Sequence, residues 1–190
     1  MNVMRASKKS VAMTRASGRQ WTLKPQDLAV ALKLVVLKDH WLPYASLGSA
    51  MRLSQFEAHA AVQRLMAARL VAEIDGPPKA VMSAIRSFVI FGAPYVYPAV
   101  RGEMTIGFPT AHGAAPLKDL MSESVEPPPV WPHPEGTQRG PGLLPLYESL
   151  PLAAKEDSLF YELLALFDAL RGGQAREREL AKRLLEERLQ

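Results

Sequence analysis

The segment 44–71 constrains the fold of this 190-residue chain more than any other part. Apolar residues recur in it at helical spacing, in two groups that a short interruption at Leu53-Ser54 separates. The two groups predict two helices joined by a tight turn, and Leu70-Val71 predicts the start of a strand. This order of elements restricts the chain to folds that contain a helical hairpin followed by extended backbone. The apolar positions are Leu47, Met51, Ala58, Ala61, Val62 and Leu65.

The start of the second helix is set by its first residues. Ser54 followed by Glu57 is a capping box, in which the hydroxyl and the carboxylate accept hydrogen bonds from backbone N–H groups. With the start set, the residues on the outward face can be assigned. That face carries amide, small and aromatic side chains with almost no acid, which suits a helix laid in the major groove of DNA. Its members are Gln55, Phe56, His59, Ala60 and Gln63.

Residues 24–76 resemble the winged helix-turn-helix of bacterial MarR-like regulators, in which turn, capping box, polar stripe and Leu-Val exit follow in this order. The resemblance implies a mainly α fold, with an N-terminal winged helix-turn-helix and a helical C-terminal extension. It also implies sequence-specific binding to double-stranded DNA through a recognition helix at about Ser54–Arg69. The corresponding function is that of a dimeric transcriptional regulator, either a repressor or an activator.

The DNA-binding interpretation assigns contacts to individual side chains. Gln55, His59 and Gln63 would contact base edges, while Arg52 and Arg64 would contact phosphates. The complete set of predicted DNA-contacting residues is Arg15, Arg19, Arg52, Ser54, Gln55, Phe56, His59, Ala60, Gln63 and Arg64.

Two features of residues 24–76 depart from the regulator pattern. Arg69 stands where such domains usually carry a glycine that ends the helix in a left-handed conformation. Residues 71–74 predict one strand, and the sequence Asp-Gly-Pro-Pro at 75–78 predicts a turn with no clear returning strand. We therefore expect a short wing.

Two other interpretations remain open. The pattern also fits an apolar helical hairpin without a nucleic-acid function. Winged helices serve in addition as protein–protein interaction modules, so the chain is alternatively an antitoxin or an accessory subunit of a two-protein system. Retention on heparin, followed by a shift of the DNA upstream of its own gene, would distinguish these interpretations.

Positive charge is concentrated at the start of the chain. The net charge is +4, whereas residues 1–78 hold eleven basic and five acidic side chains, a balance of +6, and residues 143–190 balance at −2. Residues 1–23 contain no acid, which predicts a flexible basic arm. Such an arm tracks phosphates or enters a minor groove, here with Arg15 and Arg19. The alternative is a solvated tail that aids solubility.

Two further helices flank the hairpin in residues 24–92, the predicted DNA-binding domain. The first begins at Pro25, runs to about Asp39 and completes a three-helix core. The second runs from Lys79 to about Phe91 and is apolar over much of its circumference, so we expect it to be buried.

Repeated glycine and proline in residues 93–142 predict an irregular segment and a linker. Within it, residues 122–142 predict a stiff crossing of the surface, anchored by Trp131. Scattered polar side chains fit either a pocket or, as the favoured interpretation, a structural loop wrapped over the core. They are Arg101, Glu103, Thr110 and His112.

Residues 143–190 predict C-terminal helices on either side of Gly172-Gly173. The last helix carries a narrow leucine stripe bordered by charges. A second copy of the chain would cover this stripe in a homodimer through terminal helices, or a protein partner would cover it. The competing possibility is that the stripe folds back onto Phe160, Leu164 and Phe167 of the same chain. The leucine stripe consists of Leu180, Leu184, Leu185 and Leu189.

Several function classes find no support in the sequence. The absence of cysteine excludes disulfides, cysteine nucleophiles and thiolate zinc sites. The four histidines lack a two-histidine metal spacing, and no glycine-rich phosphate loop or nucleophile elbow occurs. We therefore expect no enzyme activity, no cofactor and no metal. Because no apolar run reaches the ~20 residues that cross a bilayer and the N-terminus lacks a signal-peptide core, we expect a cytoplasmic protein without membrane contact.

Overall fold

The computed structural model describes residues 21–73, 76–121 and 127–190. Within these ranges the protein is mainly helical, as predicted, and carries two small groups of strands. The helices are α1 Pro25–Leu37, α2 Tyr44–Met51, α3 Gln55–Ala67, α4 Met82–Phe91, α5 Ala93–Val96, α6 Leu117–Leu120, α7 Leu150–Lys155, α8 Ser158–Gly172 and α9 Ala175–Arg188, with a 3-10 turn at Ala111–Gly113. The strands are β1 Val71–Ala72, β2 Lys79–Ala80, β3 Arg101–Pro109, β4 Val130–Pro132 and β5 Gln138–Leu143. No helix in the described ranges is both long and apolar enough to cross a membrane.

Helix α1 lies in the core of the protein. It begins at Pro25, as predicted, and ends at Leu37 rather than at about Asp39. Leu28, Leu32, Val35 and Val36 predict one apolar face, whereas all residues from Asp27 to Val35 are buried. The reason is that α3, α4 and α8 all pack against α1, so that its middle turns have no side left in water.

The predicted hairpin of α2 and α3 is present, and its turn is tight. A Cβ atom at Gly48 would lie 2.8 Å from the carbonyl oxygen of Leu53, so a larger residue would push the two helices apart. Arg52 ends α2 in the left-handed conformation, with φ 54°. The capping box of α3 is confirmed: the Ser54 hydroxyl accepts from the Glu57 N–H at 3.1 Å, and the Glu57 carboxylate accepts from the Ser54 N–H at 3.0 Å.

A two-stranded ladder follows α3. Strands β1 and β2 pair antiparallel, with Val71 opposite Ala80. The prediction of no returning strand is therefore wrong, because a two-residue strand of lysine and alanine lacks the β-branched, alternating pattern by which strands are recognised. Because Lys79 and Ala80 belong to β2, the helix that was expected to begin at Lys79 begins at Met82 instead. Just before β1, Arg69 adopts φ 60°, the left-handed conformation that glycine usually takes.

Residues 93–142 contain more regular structure than the predicted short extended pieces, turns and linker. Strand β3 pairs antiparallel with β4 and with β5, and β4 pairs in parallel with β5, so the three strands close into a small barrel. The prediction of an irregular segment and linker is wrong here, because glycines permit close strand contacts instead of breaking the strands. At Gly107 a Cβ atom would collide with the backbone of Trp131. Trp131 itself is buried, which confirms its predicted anchoring role.

The C-terminal helices pack onto the N-terminal ones. Helix α8 contacts α1, and α9 contacts α8 and α4, so one continuous apolar core extends from α1 to α9. Leu184, Leu185 and Leu189 are buried in this core, and Leu180 packs against it half-buried. The leucine stripe is thus covered within its own chain, and the prediction that a second copy or a protein partner covers it is wrong. The competing possibility, that the stripe folds back onto the helix of Phe160, Leu164 and Phe167, is the one that the structure supports, and α4 adds to the covering surface.

Candidate nucleic-acid interface

The outward face of α3 is most accessible at its N-terminal end. Gln55 and His59 are exposed, and Phe56 keeps 79 % of its surface in solvent. Ala60 and Gln63, further along the helix, are half-buried. The predicted stripe therefore reaches the surface mainly over the first turns of α3. In helix-turn-helix proteins, this is the part of a recognition helix that contacts base edges.

Helix α2 supports the middle of this face. The rings of Tyr44 and His59 lie edge to face with their centroids 4.7 Å apart, and Gln63 Nε2 lies 3.5 Å from His59 Nε2. Burial, together with the negative charge of Glu73, raises the pKa of the Tyr44 hydroxyl, so this group stays neutral at physiological pH. His59 is thus held by the neighbouring helix α2, and Gln63 lies against His59 one turn further along α3.

Arg64 is bound inside the protein. Its guanidinium donates two hydrogen bonds of 2.6 Å to the Asp27 carboxylate, and the two side chains are 11 % and 0 % exposed. The hydrogen bonds to Asp27 raise the pKa of Arg64. Asp27 also accepts the Lys24 N–H at 2.8 Å, at the start of α1. The prediction that Arg64 contacts phosphate is therefore wrong, because this residue fastens α3 to α1.

Arg52 remains accessible on the turn between α2 and α3. Its side chain is 51 % exposed, and its Nη2 lies 3.9 Å from the Glu156 carboxylate, a loose surface pair of small energy. The turn is held from the C-terminal half, because Tyr147 Oη donates to the Met51 carbonyl at 2.8 Å and Ser149 Oγ donates to the Arg52 carbonyl at 3.2 Å. Sequence reasoning missed these two contacts, whose partners lie 96 and 97 positions apart.

The described residues around the outward face of α3 do not by themselves supply a strong positive field. They include exposed side chains of both signs, namely Lys24, Arg52, Arg69, Glu57 and Glu73. Residues 1–23 hold five basic side chains and no acid, so five of the six net charges on residues 1–78 belong to them. The predicted phosphate contacts Arg15 and Arg19 lie outside the described residues.

A second polar cluster joins the barrel to α8. The Asp168 carboxylate is buried and accepts from Thr110 Oγ1 at 2.7 Å, from Trp131 Nε1 at 2.6 Å and from Arg171 Nε at 2.8 Å. Arg171 also donates to the Leu144 carbonyl at 2.9 Å. Because its charge is paired and its oxygens are hydrogen-bonded, Asp168 fixes the barrel on α8 as a structural group.

A cavity of about 50 Å³ lies beside this cluster, between the barrel and the start of α9. Of the four predicted pocket residues, Arg101 and His112 line it, Glu103 lies exposed on β3, and Thr110 belongs to the cluster around the buried aspartate. His112 Nδ1 lies 3.2 Å from the Glu177 carboxylate. The cavity has room for a few water molecules. In the part of the chain that the structure describes, no three or more metal-ligating side chains come together.

Comparison of the chain with protein-family models, with curated proteins and with solved structures gave no match. Its function is therefore inferred from its own residues and geometry.

Proposed function

We propose that this protein is a cytoplasmic transcriptional regulator that binds double-stranded DNA sequence-specifically through a winged helix-turn-helix. In this proposal α3 is the recognition helix, α1 and α2 complete the three-helix core, and the β1–β2 ladder is the wing. One observation carries it: the first turn of α3 presents Gln55 and Phe56 to solvent on a rigidly held helix.

Three features hold α3 in place. Gly48 permits the close approach of α2, the Ser54 capping box sets the first residue of α3, and the Arg64–Asp27 pair fastens its later turns to α1. Side chains on a rigid helix lose little further freedom when they bind, which favours specific recognition over loose adhesion.

The exposed side chains suit base edges and phosphates. A glutamine amide donates and accepts at once, so Gln55 and Gln63 each match the N6 and N7 positions of adenine. Arg52 lies on the turn before the helix, where it would contact a phosphate beside the groove. The basic residues 1–23 would add attraction that is independent of sequence and falls as salt is raised.

The test is selection of preferred sites from random duplexes by the full chain at low salt, followed by affinity measurements. Gln55→Ala and Gln63→Ala should lower the preference for the selected site over random DNA by roughly tenfold, since a bidentate amide contact is worth about 1–3 kcal/mol. The matched control is Gln138→Ala, which removes an exposed glutamine on β5. It should change neither the affinity for the selected site nor the affinity for random DNA.

Two outcomes would count against the proposal. If no duplex binds at low salt, DNA binding itself is refuted, and the alternative of a protein–protein interaction module becomes the better explanation of the exposed face. If DNA binds but Gln55→Ala and Gln63→Ala leave the preference for the selected site intact, α3 is not the element that reads the sequence.

A further inference from the structure

Phe56 is the large apolar residue that α3 exposes most. It lies in the first turn of the helix with 79 % of its surface in solvent. Its neighbour Glu57 is turned back into the capping box, where its carboxylate accepts from the Ser54 hydroxyl at 2.7 Å and from the Ser54 N–H. The charged group beside Phe56 is thus occupied locally, and the ring projects from the helix start next to the exposed Gln55.

The major groove offers one apolar partner to an exposed aromatic ring. In the major groove, thymine presents an apolar group, its 5-methyl, whereas the other edges present hydrogen-bond donors and acceptors. The adenine paired with thymine presents the donor and acceptor that a glutamine amide matches. Gln55 and Phe56 are both exposed in the first turn of α3, so a site with neighbouring A·T pairs would offer a matching edge to each side chain.

We propose that Phe56 is a specificity-determining residue that packs its ring against a thymine 5-methyl group in the major groove. This inference rests on the proposed function and adds the identity of the base and of the atom that is recognised. It assigns the exposed ring to duplex DNA, and recognition of a protein partner by the same ring is an outcome of the test below.

The experiment removes the methyl group alone. In the duplex selected by the full chain, each thymine is replaced in turn by deoxyuridine, which keeps base pairing and loses only the 5-methyl. At one position the affinity should fall about fourfold, because burial of one methylene-sized group contributes about that factor to an affinity. For Phe56→Ala the selected duplex and its deoxyuridine version should bind equally well, because the ring that contacts the methyl is gone.

Two matched variants separate this contact from general effects. Phe91→Ala removes a phenylalanine that is 63 % exposed on α4, away from α3, and should keep the full deoxyuridine effect. Phe56→Leu keeps an apolar side chain and should retain part of the affinity loss that deoxyuridine causes. Circular dichroism should be unchanged in every variant, since both rings lie at the surface.

Three results would overturn the inference. One is a selected duplex in which no deoxyuridine substitution lowers affinity. Another is an equal loss for Phe56→Ala on the thymine and deoxyuridine duplexes, which would mean that the ring does not touch the methyl. A third is Phe56→Ala that binds the selected duplex and random DNA as wild type does, which would leave the ring for another role, such as contact with a protein. All three leave DNA binding intact, whereas failure of the proposed function appears earlier, as absence of any bound duplex at low salt.

Discussion

At the residue scale, the guanidinium of Arg64 lies 2.6 Å from the Asp27 carboxylate, and that carboxylate is fully buried. A charge buried in this way is tolerated because its partner donates two hydrogen bonds and a backbone N–H donates a third. Near the pair, burial and the charge of Asp27 raise the pKa of the Tyr97 hydroxyl to about 12, so it remains neutral. Arg64 on α3 thus serves the fold, and under the proposed DNA-binding function the positive charge would come from other residues.

We predict that Arg64→Ala lowers the free energy of unfolding by about 3 kcal/mol, because it leaves the buried Asp27 carboxylate without its partner. Urea unfolding measures this change. Arg69→Ala, an exposed arginine two residues beyond α3, is the control and should be nearly neutral. Unchanged stability of Arg64→Ala combined with weaker DNA binding would mean that Arg64 contacts phosphate after all.

At the element scale, the hairpin and the helices behind it are held by contacts between distant parts of the chain. Lys33 on α1 donates to Asp157 at the start of α8 at 2.7 Å, across 124 positions of sequence. Tyr147 and Ser149 hold the carbonyls of the α2–α3 turn. Two predictions follow from these contacts and from the tight crossing at Gly48.

Asp157 should make stability depend on pH in the acid range. Burial alone would raise the pKa of Asp157, but hydrogen bonds from Lys33 and from the Phe160 N–H outweigh it and lower the pKa below its ordinary value of 3.8. A depressed carboxyl pKa contributes stability above the ordinary value and loses it as pH falls further. We therefore expect Asp157→Asn to be less stable than wild type at pH 7, and the difference to shrink below pH 3.8. A difference that persists at the lowest pH, or one matched by the exposed control Asp119→Asn, would contradict this.

Gly48→Ala should destabilise the protein by about 1–3 kcal/mol, because the added methyl meets the backbone of Leu53 and forces α2 away from α3. Thermal unfolding followed by circular dichroism measures the loss. Gly76→Ala is the matched control, since a Cβ atom there meets nothing within 4 Å. Equal stability of the two variants would show that the turn is looser than described.

At the scale of the whole molecule, the barrel and α7–α9 belong to the same core as α1–α4. The C-terminal helices therefore support the hairpin from behind, and the leucine stripe contributes to folding. A homodimer that reads two half-sites would need a surface other than this stripe.

A chain that ends at Gly173 should fail to fold. It loses the burial of Leu184, Leu185 and Leu189, each worth about 1.5–3 kcal/mol, which together match much of the roughly 5–15 kcal/mol that stabilises a whole domain. Circular dichroism and light scattering of the intact and shortened chains test this, with removal of the exposed Gln190 alone as the control. A shortened chain that is folded and monomeric, beside an intact chain that is dimeric, would restore the stripe as a dimer interface.

The order and approximate bounds of α1, α2 and α3, the Ser54 capping box and the exposed first turns of α3 were predictable from the sequence alone. These depend on helical periodicity and on hydrogen bonds between residues three positions apart, which a local pattern contains. Three features became visible only in the folded chain: the barrel of β3, β4 and β5, the binding of Arg64 to Asp27 at a separation of 37 positions, and the covering of the leucine stripe by its own chain. Each of these features depends on which distant parts of the chain come into contact. A stripe of apolar residues can be buried equally well against α8 or against a second copy, and a local sequence pattern does not distinguish the two.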